Sequence, residues 1–277
     1  MITIGLMGGL GNQLFQIFAL ISYAYKHHID FLIPYSDKLV AGTTRPTYWH
    51  SFFSKLLPFT SKHIEWNEQI AEPYFHYAPL REPTNHCQLY GYFQSPKYFD
   101  QYYEQIANLI GIRDMRQQVL SKTNELFIDS SNTVSLHFRL GDYKHLQQYH
   151  PLMPVNYYFN ALQFIMSQIR TDAQTIIYFC ENDDLVDVSA AIQQLRQMLP
   201  NSKFICAPTD LCDWEQLLLM SHCQHNVIAN SSFSWWGGYM NDYDGKIICY
   251  PHIWFGPAVT SLDTKDLFPP NWHKVIW

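Results

Sequence analysis

With 277 residues, 47% of them hydrophobic and only 15% charged, the chain can bury one large core or two modest ones, which excludes intrinsic disorder. A formal net charge of -6, with no long run of basic residues, excludes a nucleic-acid backbone as the main partner. Six scattered cysteines with no CxxC pair predict reduced thiols and a cytoplasmic setting.

Residues 2–7 alternate β-branched and apolar side chains and stop at Gly8-Gly9, the pattern of a first strand and a tight turn. Asn12 is placed to cap the following helix, which carries Leu14, Phe15, Phe18, Ile21, Ser22 and Tyr25 along one side. The apolar stretch 14–24 has no basic segment before it and is shorter than the roughly 18 residues of a membrane span, so no integral membrane segment is expected. Residues 30–34 read as the next strand, whereas 36–86 show only weak periodicity among many Pro, His and aromatic residues. A strand is expected at 88–93, a helix from Pro96 to 109 and another over 115–127. The polar segment 129–132 marks a domain boundary, with an N-terminal α/β domain over 1–130 and a second domain over 131–277.

Beyond that break, strands are expected at 133–138, 175–179, 203–206, 226–229 and 246–250. Helical patterns at 154–169, 185–199, 214–222 and 233–240 separate most of them. Such alternation implies crossover connections and a parallel, Rossmann-like sheet covered on both faces. Ligands of open α/β sheets bind beyond the carboxyl ends of the strands. Four expected strands are followed by polar clusters: Gly8-Gly9-Leu10-Gly11-Asn12-Gln13; Arg139-Leu140-Gly141-Asp142-Tyr143, with His137 just before it; Cys180-Glu181-Asn182-Asp183-Asp184; and Asn230-Ser231-Ser232-Phe233. Each alone also reads as a turn, a loop ion pair or an N-cap, and it is their convergence on one edge that points to a site. Arg139 supplies a planar fork for a phosphate, while Ser231, Ser232 and the amides opening the helix at Phe233 add donors aided by the helix dipole. The set suits a sugar diphosphate. No Gly-x4-Gly-Lys-Ser/Thr string is present, so a P-loop phosphotransferase is not expected.

Residues 8–16, 91–99, 135–143, 219–223 and 228–237, and a closing run through Pro251, Trp254-Phe255, Asp263-Thr264, Asp266-Leu267 and Trp272, resemble the inverting α1,2-fucosyltransferases of glycosyltransferase family 11. The most specific string is Asn230-Ser231-Ser232-Phe233-Ser234-Trp235-Trp236. The resemblance implies a GT-B-like α/β fold of two Rossmann-like domains, with the donor nucleotide bound mainly by the C-terminal one. It implies metal-independent, cofactor-free transfer of L-fucose from GDP-β-L-fucose to the 2-hydroxyl of a galactoside. It also implies that Arg139, Ser231, Ser232 and Phe233 hold GDP, and that Gly11 and Asn12 lie near the fucose and β-phosphate. The chain departs from the family pattern at three places. Leu140 replaces a second arginine, Cys180-Glu181-Asn182 replaces Ser-Asp-Asp, and Gln216 stands where an acid would accept from guanine. Glu181 and Glu215 are then the carboxylates left near the donor.

The base that takes the acceptor proton is sought next to the phosphate arginine, at Asp142 or His137, each with a structural alternative as loop partner or core histidine. Tyr92, Phe93 and Gln94 at a first-half strand end are the acceptor candidates, with Trp49 behind them, while Trp235 and Trp236 are expected in the core. Asp242-Tyr243-Asp244 spells the Asp-x-Asp of metal-dependent transferases but precedes Gly245, so a solvated turn reads better. His222, Cys223 and His225 lack zinc-site spacing, and no metal site is expected. The expected partners are a nucleotide-sugar donor and an oligosaccharide acceptor. Peripheral membrane contact is allowed by family analogy, although no basic amphipathic helix marks it. The rival readings are a transferase of other linkage or other GDP-sugar, and a non-catalytic nucleotide-sugar-binding relative.

Overall fold

Ile2 and Ile4 are fully buried in β1 (Ile2–Ile4), which opens a three-stranded parallel sheet. The computed structural model describes residues 1–40, 43–83, 86–127 and 132–277. Helix α1 (Leu10–His27) follows the glycine turn and buries nearly every residue through Ala24. Its N-cap is Gly9, so Asn12 lies inside the first turn and does not cap it as the sequence suggested. The weakly periodic stretch holds short strands β2 (Ile33–Pro34), β3 (Lys38–Leu39), β4 (Arg45–Pro46) and β5 (Thr60–Ser61), with β2 paired to β5 and β3 to β4. Next come β6 (Glu68–Ala71) and β7 (Cys87–Tyr90), and the main sheet runs β1-β7-β6. The helix expected from Pro96 begins as two single 3-10 turns before α2 (Tyr103–Ile110).

Helix α3 (Ile112–Thr123) leads into a six-stranded parallel sheet. Its elements alternate as β8 (Thr133–His137), α4 (Val155–Ile169), β9 (Thr175–Phe179), α5 (Leu185–Met198), β10 (Lys203–Cys206), α6 (Asp213–His222), β11 (His225–Val227), α7 (Ser232–Tyr239), β12 (Ile248–Pro251) and β13 (His273–Val275). The spatial order is β10-β9-β8-β11-β12-β13, the 3-2-1-4-5-6 order of a doubly wound sheet. All five residues of β8 are buried, as a central strand covered on both faces requires. On α4 the buried stripe Tyr157, Tyr158, Ala161, Leu162 and Ile165 follows helical spacing, and Val188, Ile192 and Leu195 do the same on α5. These side chains join Val134, Leu136 and Ile176 in one core.

The chain divides into two units, Met1–Met115 with Ser261–Pro270, and Arg116–Thr260 with Asn271–Trp277. This division falls ahead of the boundary read near residue 130, where 128–131 lie outside the described residues, and each unit gains a second segment from the C-terminal end of the chain. No helix among the described residues is long and apolar enough to cross a membrane.

Candidate functional site

In a sheet of this order the connections of its first and fourth strands leave in opposite senses, opening a crevice at their carboxyl ends. Here those strands are β8 and β11, which pair directly, with β9 on the other side of β8. The loops carrying residues 139–143, 180–184 and 230–233 therefore leave the second unit's sheet side by side.

Arg139 joins them. Its guanidinium donates to Asp142 through Nη2 and to Glu181 through Nη1, and stands 4.8 Å from the centre of the Tyr143 ring. The Tyr143 hydroxyl donates to the Asn230 carbonyl (3.4 Å), tying the arginine loop to the start of α7. Gly141 has φ +39°, and a Cβ on it would stand 2.9 Å from a Glu181 carboxylate oxygen and 3.1 Å from Arg139 Nη1, so this tight loop needs glycine. Behind the loop, Asp184 is 2% exposed and accepts from the Gly141 amide (2.7 Å). Lys144 pairs with Asp184 (2.7 Å) and Asp187 (2.6 Å), which hold its ammonium well above the usual range. Both terminal nitrogens of Arg139 meet carboxylates, so an incoming phosphate competes with them for the fork.

Ser231 is the N-cap of α7, its Oγ accepting from the Phe233 amide (3.3 Å), while Ser232 is half-buried in the first turn. Asn230 is buried and donates to the carbonyls of Pro151 (3.0 Å) and Trp254 (3.2 Å), which fixes the approach to that helix. The Phe233 ring lies 5.6 Å from the ring of His137. Trp235 and Trp236 are fully buried, edge-to-face at 5.2 Å, in the core as expected.

Two donor or catalytic assignments need correction. Burial, helped by the nearby Arg139 charge, lowers His137 to about 3, so it is a neutral imidazole and too weak a base for the acceptor proton. Glu215 pairs with Lys122 through Oε1 and accepts from the Cys212 amide through Oε2 (3.0 Å), closing a capping box on α6 instead of facing a ligand. Burial would raise its carboxyl, but the Lys122 and Cys212 bonds outweigh it and the net shift is downward. Glu181 is bound to Arg139, and Asp142 has the loop-partner role weighed against that of base.

Asp242 of the Asp-x-Asp string is gripped in two-pronged fashion by Arg116 (2.5 and 2.7 Å). The Arg116 carbonyl lies 2.7 Å from His222 Nε2, and His225 Nδ1 accepts from the Ile247 amide (3.1 Å). Among the described residues no group of three or more His, Cys, Asp or Glu is placed to hold a metal.

The first unit has its own strand-end cluster. Gly8 is left-handed at φ +75° after β1. Fully buried Gln16 accepts from the Met7 amide (2.9 Å) and donates to the Gly91 carbonyl (3.1 Å), joining the loops after β1 and β7. Gln13, also fully buried, donates to the carbonyls of Gly8 and Pro46, both at 2.9 Å. Asn12 accepts from Gln94 (2.8 Å), and Gly11 is buried beside it in α1. Of the acceptor candidates, Tyr92 is 40% exposed, whereas Phe93 is fully buried against Tyr98 and offers no face to a sugar. Trp49 is likewise buried, its indole donating to the Ser36 carbonyl (3.0 Å).

A family model described as glycosyl transferase family 11 matches residues 1–275. The chain belongs to that family. It is 31% identical over 196 residues to the O-antigen biosynthesis glycosyltransferase WbnK of Escherichia coli, covering 68% of this chain and 61% of that one. It is 27% identical over 188 residues to an alpha-1,2-colitosyltransferase of Escherichia coli, covering 67% and 61%. The chain thus spans 61% of the length of each of these relatives. Among solved structures, the glycosyl transferase family 9 protein of Veillonella parvula superposes with a TM-score of 0.51 at 10% identity, covering all of this chain and 86% of that one. That likeness concerns the fold, which is α/β and GT-B-like.

In this family 11 chain the residues read from strand ends fall into two groups. Arg139, Asp142, Glu181 and the start of α7 gather at one rim, and Asn12 and Gln94 at the other. Lys144 escaped the sequence reading, in which Asp184 stands only as part of the acidic run after β9 and with no role of its own. Glu72 escaped it entirely. It follows β6 in the aperiodic stretch, and its Oε2 accepts from the amides of Tyr92 (2.8 Å) and Phe93 (2.9 Å).

Proposed function

We propose that this chain transfers L-fucose from GDP-β-L-fucose to the 2-hydroxyl of a galactoside in a glycan, inverting the anomeric centre and requiring no metal. The observation that carries the reading is the link from Arg139 through the Tyr143 ring to the Asn230 carbonyl, just ahead of the Ser231–Phe233 helix start, at the crevice of a 3-2-1-4-5-6 sheet. Diphosphate oxygens exchange with Glu181 on the guanidinium, and the N-terminus of α7 adds its dipole. As the bond from the anomeric carbon to the β-phosphate oxygen breaks, its electron pair leaves on GDP, and these fixed donors meet the charge. The acceptor oxygen bonds to the anomeric carbon from the opposite face, and its proton passes to solvent water as that bond forms.

Family membership supports glycosyl transfer, and the names of the two Escherichia coli relatives support a glycan acceptor and a 1,2 linkage. The six free thiols agree with a cytoplasmic setting. The colitosyltransferase relative favours one second reading, in which the donor is GDP-colitose.

The test supplies the full chain with GDP-fucose or GDP-colitose and a panel of galactosides, with and without EDTA, following GDP release and assigning the product linkage by NMR. Fucose on O-2 in α linkage, insensitive to EDTA, is the expected result. Faster colitosyl transfer moves the donor assignment to the second reading. EDTA-sensitive transfer restored by Mn²⁺ overturns the metal-free mechanism, and GDP-sugar binding without turnover on any acceptor overturns the enzyme reading.

A further inference from the structure

Among the described residues, Glu72 is the one acid with a buried carboxylate oxygen, Oε1, that has no hydrogen-bond partner. Its other oxygen is held by the two consecutive amides of Tyr92 and Phe93, just beyond β7. The side chain fills the space a residue larger than glycine would claim at position 91, where a Cβ would stand 2.7 Å from Glu72 Oε2. The clamped turn places Phe93 at φ +54°, a conformation that a bulky residue enters only when its surroundings force it. From that turn Gln94, 9% exposed, reaches Asn12 Oδ1 at 2.8 Å.

We propose that Glu72 is a positioning residue for glycosyl transfer, setting through the 92–93 amides the Gln94–Asn12 pair that addresses the donor sugar. The inference rests on the proposed function at one point, the fucosyl donor, since the family resemblance implies that Asn12 lies near its sugar.

A glutamine oxygen could accept the same two amides, but an ionised carboxylate holds them about twice as strongly, so what Glu72 adds over glutamine is the strength of the clamp. Burial pushes the Glu72 carboxyl up to about 7, with the Phe93 and Tyr92 amides pulling it part of the way back. A raised carboxyl stabilises the fold fully below its unfolded value of about 4.5, and that stability is lost as pH rises through about 7. Ionised Glu72 at neutral pH thus costs fold stability, the pattern of a group kept for function. The titratable group facing it is the Tyr98 phenol, with Tyr77 and Asp266 beyond. Burial raises Tyr98 further, so it stays neutral across this range, and Asp266 is paired with Lys97 (2.5 Å).

The test compares the full-length wild type with Glu72→Gln and Asn12→Ala. NMR follows the Gln94 side-chain amide from pH 5 to 8, and melting temperature and GDP-fucose turnover are measured over the same range. In the wild type the Gln94 signal should move with a midpoint near 7, and in Glu72→Gln it should not. Glu72→Gln should melt no lower than wild type at pH 8, and its Tm relative to that of wild type should rise between pH 5 and 8. Its kcat should fall about tenfold or more, the scale of a misplaced reacting group, with donor and acceptor KM little changed and the acid limb of the rate profile gone. A Gln94 signal indifferent to pH and to Glu72→Gln overturns the proposal, as does a Glu72→Gln enzyme with wild-type kcat and pH profile. Wild-type turnover untouched by Asn12→Ala, or no GDP-fucose turnover at all, counts against the donor reading. The Gln94 titration then still decides the clamp.

Discussion

At the carboxyl end of its sheet the first unit joins its loops through Gln13, Gln16 and Gln94, all nine-tenths or more buried, while the second joins them through Arg139, Lys144 and the carboxylates of Asp142, Glu181, Asp184 and Asp187. A buried amide satisfies a donor and an acceptor at once without the desolvation cost of charge, so the first rim is preformed and resists exchange. The second rim is graded. Asp184 is 2% exposed and holds the backbone of the arginine loop, whereas the Glu181 side chain is 56% exposed and holds only the guanidinium. An ion pair at such exposure is worth little in water. It can yield to a diphosphate, and the buried one beneath it cannot. The first rim is thus held by neutral amides with Glu72 as the exception, and the second by exchangeable charge, which is where the proposed function would have the phosphate bind.

The largest expected effect comes from removing that charge. Arg139→Ala should lower kcat with a fucosyl donor by about 10²–10³, or about 3–4 kcal/mol of transition-state stabilisation. Arg139→Lys should recover only part, because an ammonium lacks the planar fork. Steady-state GDP release measures both. Near-normal kcat in both variants would make the ionic rim a structural knot and erase the functional contrast between the rims.

Acid should then pull the units apart in stability. Burial, with the Arg139 charge, lowers His137 to about 3, and burial alone lowers His225 to about 4. A histidine lowered in the fold contributes stability that is present above its unfolded value near 6.5 and lost as pH falls toward the folded one. Glu72, raised to about 7, has the opposite sign and gains stability as pH falls. Between pH 7 and 5 the two histidines together should cost the second unit about 2–4 kcal/mol. Amide exchange, corrected for its intrinsic pH dependence, should show β8 and β11 opening more readily at pH 5 while β6 and β7 are better protected. Changes of one sign in both units would contradict the contrast.

How much of this could be read from sequence depends on how local each feature is. β9 and β10 were found to the residue, since each apolar run is bounded by polar or turn residues. Arg139 and Ser231 were reached because a strand end plus an α/β rhythm predicts where ligands bind. β6 was not, because only Ile70 of its four residues is buried and one buried position makes no period. Glu72 was lost with it. Phe93 looked like a surface aromatic beside Tyr92, and only the left-handed turn turns its ring inward. β13 is three residues long and pairs with β12, a non-local contact that nothing in His273-Lys274-Val275 announces. The Arg139–Glu181 pair spans 42 positions and exists only because β8 and β9 are neighbours.

The smallest expected effect separates two roles for Glu181. As a donor ligand, the role its place after β9 suggests, its loss should weaken GDP binding. As the exchangeable partner of Arg139, its neutralisation should strengthen it, since the phosphate no longer displaces a carboxylate from Nη1. The second outcome is expected. Glu181→Gln should tighten GDP about 3- to 10-fold, or about 0.7–1.4 kcal/mol, by isothermal titration at low ionic strength. Salt screens exposed charges over about 8–10 Å, so the gain should shrink as ionic strength rises. Asp184→Asn should give no such gain, because that carboxylate holds the Gly141 amide and Lys144, not the fork itself. Weaker GDP binding in Glu181→Gln would return Glu181 to the donor and leave Asp142 as the carboxylate that gives way.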